Sequence, residues 1–351
     1  MLTKYILKRL LLAIVTFIVI YVIVYLIMAK FGNNPFVNTV DAIKSKSTDA
    51  SEQLIKLQKE NGFDKPAVVR LWDYTVGIFH GDYGKIYKSS ETSIPALFFK
   101  PLRYTILVSL PSFIISVILG VILGTISAYK RGKWQDASIT SFATVFVALP
   151  SFVLAPFIIL IALKVNLPFE FKDAEDYSVG TMITSLIPPI VVFVLSSIAR
   201  YTFLVRNWVV TTLSSHQVLI AKAKGLSKFK IFTKHVFRNA SIPLVRTLIF
   251  SYLALLSGSI ILEQFFRIPG SSTIIVNAIQ DGEINVSMFS LIFFTSLSLV
   301  TDIVADLSYV FMDPRISIAS KSERNYWVEF KKWRSRKQSK EKLEQGEMSN
   351  V

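Results

Sequence analysis

The side chains of this chain that could do chemistry are few and scattered. Its three histidines, His80, His216 and His235, stand far apart and flank no paired carboxylates, and cysteine is absent. This excludes a thiol nucleophile, a Cys-ligated metal site and disulfides, and no Ser-His-Asp or metal-ligand spacing is found. A phosphate-binding G-x-x-x-x-G-K-[ST] loop is also missing. We therefore expect no catalytic residue, no metal site and no cofactor bound by this chain.

Two carboxylates, Asp302 and Asp306, fall one turn apart in an apolar run near the C-terminal end, so they share a helix face. An ionisable group inside a membrane is costly and is a functional hypothesis by default, for example as a proton relay. Asp306 stands only nine residues before Arg315, close to the end of the run. We favour an interpretation of Asp306 without a relay, in which its side chain pairs with a neighbouring base or extends to the polar end of the helix.

The strongest pattern is one of charge. Residues 200–246 hold nine Lys or Arg and no Asp or Glu, between two apolar segments long enough to cross a bilayer. A basic loop between two spans belongs on the cytoplasmic side by the positive-inside rule. The length of this loop allows two short helices, and so a docking surface as well as a connection.

Apolar residues make up 52% of the chain and are gathered in blocks. About six blocks have the length of a spanning helix. They are Leu10–Ala29, Tyr104–Ala128, Ser138–Leu163, Met182–Phe203, Pro243–Leu262 and Val286–Met312. We interpret the first as a retained span, because it is long for a signal peptide and Met28-Ala29-Lys30 offers no cleavage pattern. The sequence thus predicts an all-α integral membrane protein.

The net charge of +15 follows the predicted topology and does not indicate a nucleic-acid partner. Basic clusters precede the first block and follow the second, fourth and sixth, whereas loops 164–178 and 263–285 are balanced or acidic. This asymmetry predicts that both termini are cytoplasmic.

The chain divides into four predicted regions, one of which carries the basic loop at 204–242. The regions are a cytoplasmic N-terminus with the first span (1–30), a small extracytoplasmic cap (31–102), a five-helix core (103–315) and a polar, basic cytoplasmic tail (316–351). The cap mixes turn signals with a helical run around Ala50–Glu60. It is a solvated connector or a docking surface, and the sequence does not separate the two.

Prolines interrupt several blocks, at positions 111, 150, 156, 188 and 189. Irregular backbone at membrane depth is tolerated where protein or a water-filled cavity satisfies it, so such prolines can mark helices that line a path. A kink inside a packed bundle is at least as common an explanation for any one of them. For the GxxxG pattern of Gly120 and Gly124 we expect packing within the chain rather than a dimer interface.

The basic loop has the signals of two helices. Ser214 and Ser215 are N-cap candidates for a helix through Lys224, and Gly225 is placed to end it. Ser227 can cap a second helix, 228–238, after which Pro243 suits the first turn of the fifth span.

On the second helix, Phe229, Phe232 and Val236 stand at i, i+3 and i+7, with lysines and Arg238 on other faces. The result is a helix–glycine–helix elbow with an apolar knob surrounded by positive charge. Such a knob suits a groove on another protein, and it equally suits the surface of an anionic membrane. Residue chemistry alone supports these two interpretations about equally.

The segment Ala221-Lys222-Ala223-Lys224-Gly225-Leu226-Ser227, followed by Arg238 through Pro243, resembles the coupling loop of ABC importer permeases, and more narrowly that of the peptide/nickel subfamily. Other segments agree with that subfamily over about residues 1–318, and the long cap is similar to that of the first of two permease subunits. These segments are Tyr5–Leu11, Gly81–Gly84, Leu149–Phe152, Glu263–Gly270 and Asp306–Arg315.

The resemblance implies a type I ABC importer permease fold in a bacterial cell membrane, with no catalysis by this chain. It implies a second permease subunit, two cytoplasmic ATPases that bind ATP and Mg, and an external substrate-binding protein that delivers a peptide. Coupling to the ATPases would run through the elbow, at Ala221, Lys222, Ala223, Lys224, Gly225, Leu226, Ser227, Phe229 and Pro243.

The chain departs from the family pattern at one end of the elbow. Leu219, Ile220 and Ala221 stand where the general pattern begins Glu-Ala-Ala, and His216 stands where the subfamily is often acidic. We therefore expect contact through apolar faces and lysines. The alternatives are an importer for nickel or another small solute, a stand-alone carrier driven by an ion gradient, and a membrane scaffold or sensor.

Overall fold

Helices form every regular element in the part of the chain that the structure describes. The computed structural model describes residues 2–36, 50–88, 93–257, 260–312 and 334–335. Its helices are α1 (Leu2–Phe31), α2 (Ala50–Glu60), α3 (Ala67–Phe79), α4 (Ile94–Tyr129), α5 (Trp134–Ala148), α6 (Ser151–Lys164), α7 (Val179–Leu213), α8 (His216–Ala223), α9 (Lys228–Ile231), α10 (Arg238–Ser257), α11 (Ile260–Phe265), α12 (Ser271–Asp281) and α13 (Ile284–Met312). The predicted all-α architecture is confirmed, whereas almost all of the tail, 316–351, lies outside the described residues.

Four of the predicted spans are single helices that are long and apolar enough to cross a membrane. They are α1, α4, α7 and α13, and each extends beyond the apolar block that predicted it. The third block is instead split into α5 and α6, which meet at a bend of 103°. Pro150 accounts for the break, because a proline pushes the residue before it out of the helical region, and Leu149 is extended. The other interrupting prolines lie inside α4, α6 and α7 without ending them.

The fifth block, Pro243–Leu262, departs most from its prediction. α10 begins at Arg238, before Pro243, and its apolar stretch is Thr247–Leu256. Ten residues rise only about 15 Å, half of the roughly 30 Å of a bilayer's hydrocarbon core. By length and composition, the described residues therefore hold four spans, or five when the bent pair of α5 and α6 counts as one.

α4 and α7 pack closely because α4 presents glycines where the two helices meet. A Cβ atom at Gly120 would lie 2.5 Å from the Cβ atom of Tyr201, and one at Gly124 would lie 2.7 Å from the carbonyl oxygen of Thr202. Both distances are shorter than van der Waals contact, so the helices approach this closely only where the side chain is missing. The prediction that the GxxxG pattern serves packing within the chain is confirmed.

An ion pair attaches α1 to α13. Arg9 Nη2 lies 3.1 Å from Asp306 Oδ2, and the side chain of Asp306 is only 8% exposed. A carboxylate at such a position is stabilised by an opposite charge. The interpretation of Asp306 as the partner of a base is confirmed, and the base is supplied by the first span.

The end of the molecule where α4 begins, here called the cap end, is built around a buried carboxylate. Glu283 Oε1 accepts hydrogen bonds from the backbone N–H groups of Tyr87, at 2.8 Å, and Lys88, at 2.6 Å. Asn285 donates to the carbonyl of Lys85 at 2.9 Å. Burial raises the pKa of Glu283 above its ordinary value, although the two N–H donors oppose the change. The segment after α3 is thus fixed to the junction of α12 and α13.

We expect Gly120→Ala to destabilise the protein, because the added methyl group would clash with Tyr201. Overpacking of this kind typically costs about 1–3 kcal/mol. The measurement is the thermal unfolding midpoint in detergent. Gly180→Ala is the matched control, since a Cβ atom at this helical glycine would meet nothing closer than Ser178 Oγ, at 3.8 Å. Equal midpoints for the two variants would contradict the close α4–α7 contact.

We expect Glu283→Gln to make unfolding less sensitive to pH. Because the folded-state pKa of Glu283 is raised, its contribution to stability is present below the unfolded value of about 4.5 and is lost as pH rises through the folded pKa. Glutamine keeps the acceptor oxygen without the charge. The thermal unfolding midpoint of the variant should therefore increase relative to that of the parent as pH rises. A difference that does not change with pH would contradict this. Glu283→Ala leaves two partly buried N–H donors without their acceptor and should cost about 1 kcal/mol.

Candidate functional site

The elbow comprises residues 214–243 and lies where α4 and α7 end, here called the elbow end. Its arms are α8 and α9, with Gly225 between them. Tyr129, the last residue of α4, contacts the ring of Phe232, with 6.0 Å between the ring centroids. An amide pair joins α8 to the start of α10, in which Asn239 Nδ2 donates to Gln217 Oε1 at 3.0 Å. The elbow is therefore a folded unit at the end of the molecule opposite the cap end.

Gly225 turns the chain between the two arms in a left-handed conformation, with φ +71°. Its N–H donates to the carbonyl of Lys222 at 2.9 Å, and the N–H of Leu226 donates to the carbonyl of Ala221 at 3.3 Å. These two bonds form a Schellman motif, which satisfies the last carbonyls of α8. The predicted role of Gly225 as the residue that ends the first helix is confirmed.

The serine caps are as predicted at one arm only. Ser227 Oγ accepts from the N–H of Lys230 at 3.4 Å, as an N-cap residue does. Ser215 occupies the N-cap position of α8, but its hydroxyl makes no capping hydrogen bond. Ser214 belongs to the end of α7 and donates to the carbonyl of Val210 at 3.2 Å.

The sequence predicts that the second arm ends before Pro243. In the structure it instead continues into α10 through a π-helical turn, Phe232–Phe237. Pro243 consequently lies in the interior of a continuous helix and not in its first turn. A π turn and a proline both change the usual pairing of helix carbonyls. Two side chains donate to carbonyls of this stretch: Asn239 Nδ2 to that of His235, at 2.8 Å, and Ser241 Oγ to that of Arg238, at 3.0 Å.

The predicted apolar knob is divided between two faces. Phe229 is 77% exposed, whereas Val236 is buried and Phe232 is half-buried against the same core. The π turn explains the difference, because it turns through a smaller angle per residue and so rotates Val236 away from Phe229. Leu219 and Ile220 on α8, and Phe237 at the end of the π turn, are further large apolar side chains that the elbow exposes. The elbow tip is the part around Gly225, from Leu219 through Lys230.

The inner face of the elbow is a hydrophobic core shared with the ends of α4 and α7. Ala221, a predicted coupling contact, is buried in this core, and Leu226 packs against its edge. Both follow from the Schellman motif, which brings these two residues together. The buried members are Ala128, Val205, Val209, Val218, Ala221, Ile231, Val236, Ala240 and Leu244. The base of the elbow is thus held by the helices that carry it.

The outer face of the elbow is basic. Its exposed cations are Lys222, Lys224, Lys228, Lys230, Lys234 and Arg238, and the predicted contacts Ala223, Gly225 and Ser227 are exposed among them. The Pro243 side chain lies outside the described residues.

Arg206, a base of the predicted loop, lies inside α7, because this helix continues ten residues beyond the predicted span, whereas Arg200 lies within that span itself. Arg206 forms a two-point ion pair with Asp136, Nε to Oδ1 and Nη2 to Oδ2, both at 2.8 Å. The same carboxylate accepts from Ser127 Oγ at 2.5 Å and from the N–H of Gly132 at 3.0 Å. These bonds join α4, the α4–α5 turn, α5 and α7 directly beside the elbow.

Sequence reasoning missed this pair because its partners are 70 residues apart and Arg206 counted among the bases of the loop. The available signal was Asp136 itself. It is an acid at the head of an apolar block, just after Lys130, Arg131 and Lys133.

Relatives of known class cover most of this chain. The family of binding-protein-dependent transport system inner membrane components matches residues 120–318, and a family for the N-terminal part of such membrane components matches residues 1–100. The chain is 33% identical over 340 residues to the oligopeptide transport system permease protein OppB of Mycoplasma genitalium, a match that covers 95% of this chain and 82% of that protein.

It is 27% identical over 317 residues to the dipeptide transport system permease protein DppB of Lactococcus lactis, with 90% of this chain and all of that protein covered. A solved structure of an amino acid ABC transporter with histidines matches at 12% identity and a TM-score of 0.48, over 61% of this chain and 94% of that chain.

The family match spans more than half of the residues, and the Mycoplasma relative shares a third of its aligned positions. The chain is therefore a multi-pass membrane protein of the ABC importer permease class, a subunit of a larger transporter. It belongs to the family of binding-protein-dependent transport system inner membrane components.

Proposed function

We propose that this chain is one of two permease subunits of an ATP-driven importer for peptides. Its relatives from Mycoplasma genitalium and Lactococcus lactis are named for oligopeptide and dipeptide transport. The observation that carries the proposal is the construction of the elbow, whose tip exposes Phe229 and four lysines while its base is buried against α4 and α7. A part that transmits force between two proteins needs such a free tip and a fixed base.

The tip is proposed to insert into a groove on a cytoplasmic ATPase. An exposed aromatic side chain on a short helix, such as Phe229 on α9, is the kind of anchor that fills such a groove. The lysines around this side chain complement an acidic partner. The contact residues are Lys222, Ala223, Lys224, Gly225, Ser227 and Phe229. Ala221 and Leu226 support them from behind, and Pro243 lies farther along the second arm.

The ATPases, one for each permease subunit, are proposed to bind ATP and Mg, and this chain to bind no cofactor and catalyse no bond chemistry. When the ATPases close, they move the elbow tip. Because the elbow shares a hydrophobic core with α4 and α7, those spans follow as a rigid body. Such a movement turns the pathway from inward-facing to outward-facing.

The charge distribution supports one orientation in a bacterial cell membrane. The elbow end carries the basic clusters and is therefore proposed to be cytoplasmic, together with both termini. The cap end then faces outward, where an external substrate-binding protein delivers the peptide.

Other assignments have less support. A stand-alone carrier needs its own relay of ionisable groups, and Asp306 is instead paired with Arg9. Nickel or another small solute is the alternative cargo, but the relatives above are named for oligopeptide and dipeptide transport. A scaffold that rests its basic elbow on anionic lipid is separated from a coupling subunit by the first experiment below.

Extraction of the tagged protein in mild detergent should recover it with a second permease and two ATPases, because the elbow tip needs a partner to cover Phe229. Mass spectrometry identifies the subunits, and ATP-dependent peptide uptake by the reconstituted complex tests the activity. Recovery of the chain alone, with transport that needs no ATP, would refute the proposal. Recovery alone with binding to anionic vesicles would support the lipid-bound scaffold.

Replacement of Gly225 by Trp should uncouple ATP hydrolysis from uptake while the spans stay inserted. The left-handed backbone at this position disfavours any L side chain by about 1–2 kcal/mol, and the indole would project into open space at the tip, where nothing lies within 4 Å of a Cβ atom. Gly225→Pro should act similarly, since it also removes the N–H bonded to Lys222. The measurement is peptide taken up per ATP hydrolysed in proteoliposomes.

Gly132→Trp is the matched control for this experiment. Gly132 also has a left-handed backbone, with φ +77°, and open space around its Cβ position, but it lies in the α4–α5 turn outside the elbow. We expect this variant to keep the coupling ratio of the parent. Unimpaired uptake with Gly225→Trp, or an equal loss with both variants, would count against the elbow.

A further inference from the structure

A cavity of about 290 Å³ lies beside the Pro150 bend, between the α5–α6 break, α7 and α10. Polar groups line it although it is surrounded by apolar helices. The hydroxyl groups come from Ser151, Ser196, Ser197, Tyr201 and Ser251, and Arg200 is the one charged residue among the described residues that line it. None of these lining residues belongs to the elbow or the cap.

Arg200 is the unusual feature of this cavity. It stands 13 residues before the end of α7, which corresponds to roughly 20 Å along the helix at about 1.5 Å per residue. Within the described residues, no carboxylate forms an ion pair with it, whereas Arg206 on the same helix is fully paired with Asp136. Its side chain is exposed, so the guanidinium group is not enclosed by protein. The cavity thus presents a cation that no described carboxylate neutralises, and this cation is available to a ligand.

The hydroxyl groups around Arg200 are held in place. Tyr201 donates to Ser251 Oγ at 3.1 Å and so ties α7 to α10, while Ser251 donates to the carbonyl of Leu248 at 2.9 Å. Ser196 donates in the same way to the carbonyl of Phe193, at 3.1 Å. The serine oxygens remain as acceptors in the cavity. The site thus presents one cation and a rim of hydroxyl groups.

We propose that this cavity is a station on the translocation pathway and that Arg200 pairs there with the C-terminal carboxylate of a peptide. This inference rests on the proposed function. A guanidinium group matches a carboxylate with two parallel hydrogen bonds. Every free peptide has one C-terminal carboxylate whatever its side chains, so a single arginine recognises what all such cargo shares. The same charge repels the N-terminal ammonium group and thereby orients the peptide.

The size of the cavity fits this role. Its volume is at the lower end of the roughly 300–1,000 Å³ of typical ligand sites, enough for the end of a peptide and not for a long one. The bend at Pro150 creates this space by directing α6 away from α5 at 103°.

The test compares one peptide without acidic side chains as its free acid and as its C-terminal amide, in proteoliposomes that contain the whole transporter. The amide is chosen from those that the wild-type complex takes up. We expect Arg200→Gln to lower the uptake rate of the acid about 10- to 100-fold, the loss of one charge-assisted pair, and to leave that of the amide nearly unchanged. Arg200→Lys keeps the charge without the two-point geometry. Its uptake rate for the acid should therefore lie between those of the wild-type complex and Arg200→Gln.

Arg206→Gln is the control on the same helix. It breaks a structural ion pair and should lower uptake of acid and amide by the same factor. The inference is overturned if Arg200→Gln lowers both equally or neither. A wild-type complex that takes up no peptide with ATP would instead refute the proposed function.

A second measurement decides the question if Arg200→Gln does not assemble. The chain has no cysteine, so Ser197→Cys introduces one thiol into the cavity. A charged thiol reagent should label it, and the acid peptide should slow labelling during turnover while the amide does not. Ile118→Cys, on an exposed apolar face of α4, should resist the charged reagent. Absence of labelling at position 197, or equal protection by acid and amide, would overturn the inference.

Discussion

The close contact between α4 and α7 is the constraint on which the other elements depend, because it fixes where the ends of both helices lie. Gly120 and Gly124 allow the contact, and polar groups then hold α4 at its two ends. At the elbow end, Ser127 shares the carboxylate of Asp136 with Arg206. Toward the cap end, Thr105 donates to the buried Glu263 at 2.7 Å. The packed pair α4 and α7, with these polar contacts, is here called the helix frame.

The helix frame also explains how one chain can hold two different sites. The elbow core packs on the last turns of α4 and α7, whereas the cavity opens farther along α7, on the side of α5, α6 and α10. Both surfaces are therefore positioned by the same pair of helices. Buried polar groups in such a bundle have discrete partners, so displacement of the pair changes both surfaces together.

Much of this arrangement could be predicted from the sequence wherever the cause is local. Four spans could be predicted because a run of about 20 apolar residues has few alternatives to crossing a bilayer. Gly225 could be placed at a helix end because a left-handed residue is needed there, and Ser227 at a helix start because its hydroxyl meets a free N–H. The cap helix at Ala50–Glu60 likewise has the predicted bounds. The boundaries of the four predicted regions stay predictions.

The remaining features depend on contacts between distant segments. The inward position of Ala221 follows from the surface that α8 packs against, which periodicity in eight residues does not reveal. The division of Phe229 from Val236 follows from a π turn, for which the sequence has no reliable signal. α7 could be predicted only to Phe203 because Arg206 marks a span end until its partner Asp136 is known.

The unbroken helical segment from Lys228 through Ser257 has a mechanical consequence. Phe229 at the elbow tip and Ser251 in the cavity wall both belong to it, about 33 Å apart along the axis at about 1.5 Å per residue. In the proposed transporter this segment acts as a lever arm, with one end against the ATPase and the other at the solute cavity. Because Tyr201 donates a hydrogen bond to Ser251, movement of the cavity end of this segment acts directly on the residue next to Arg200.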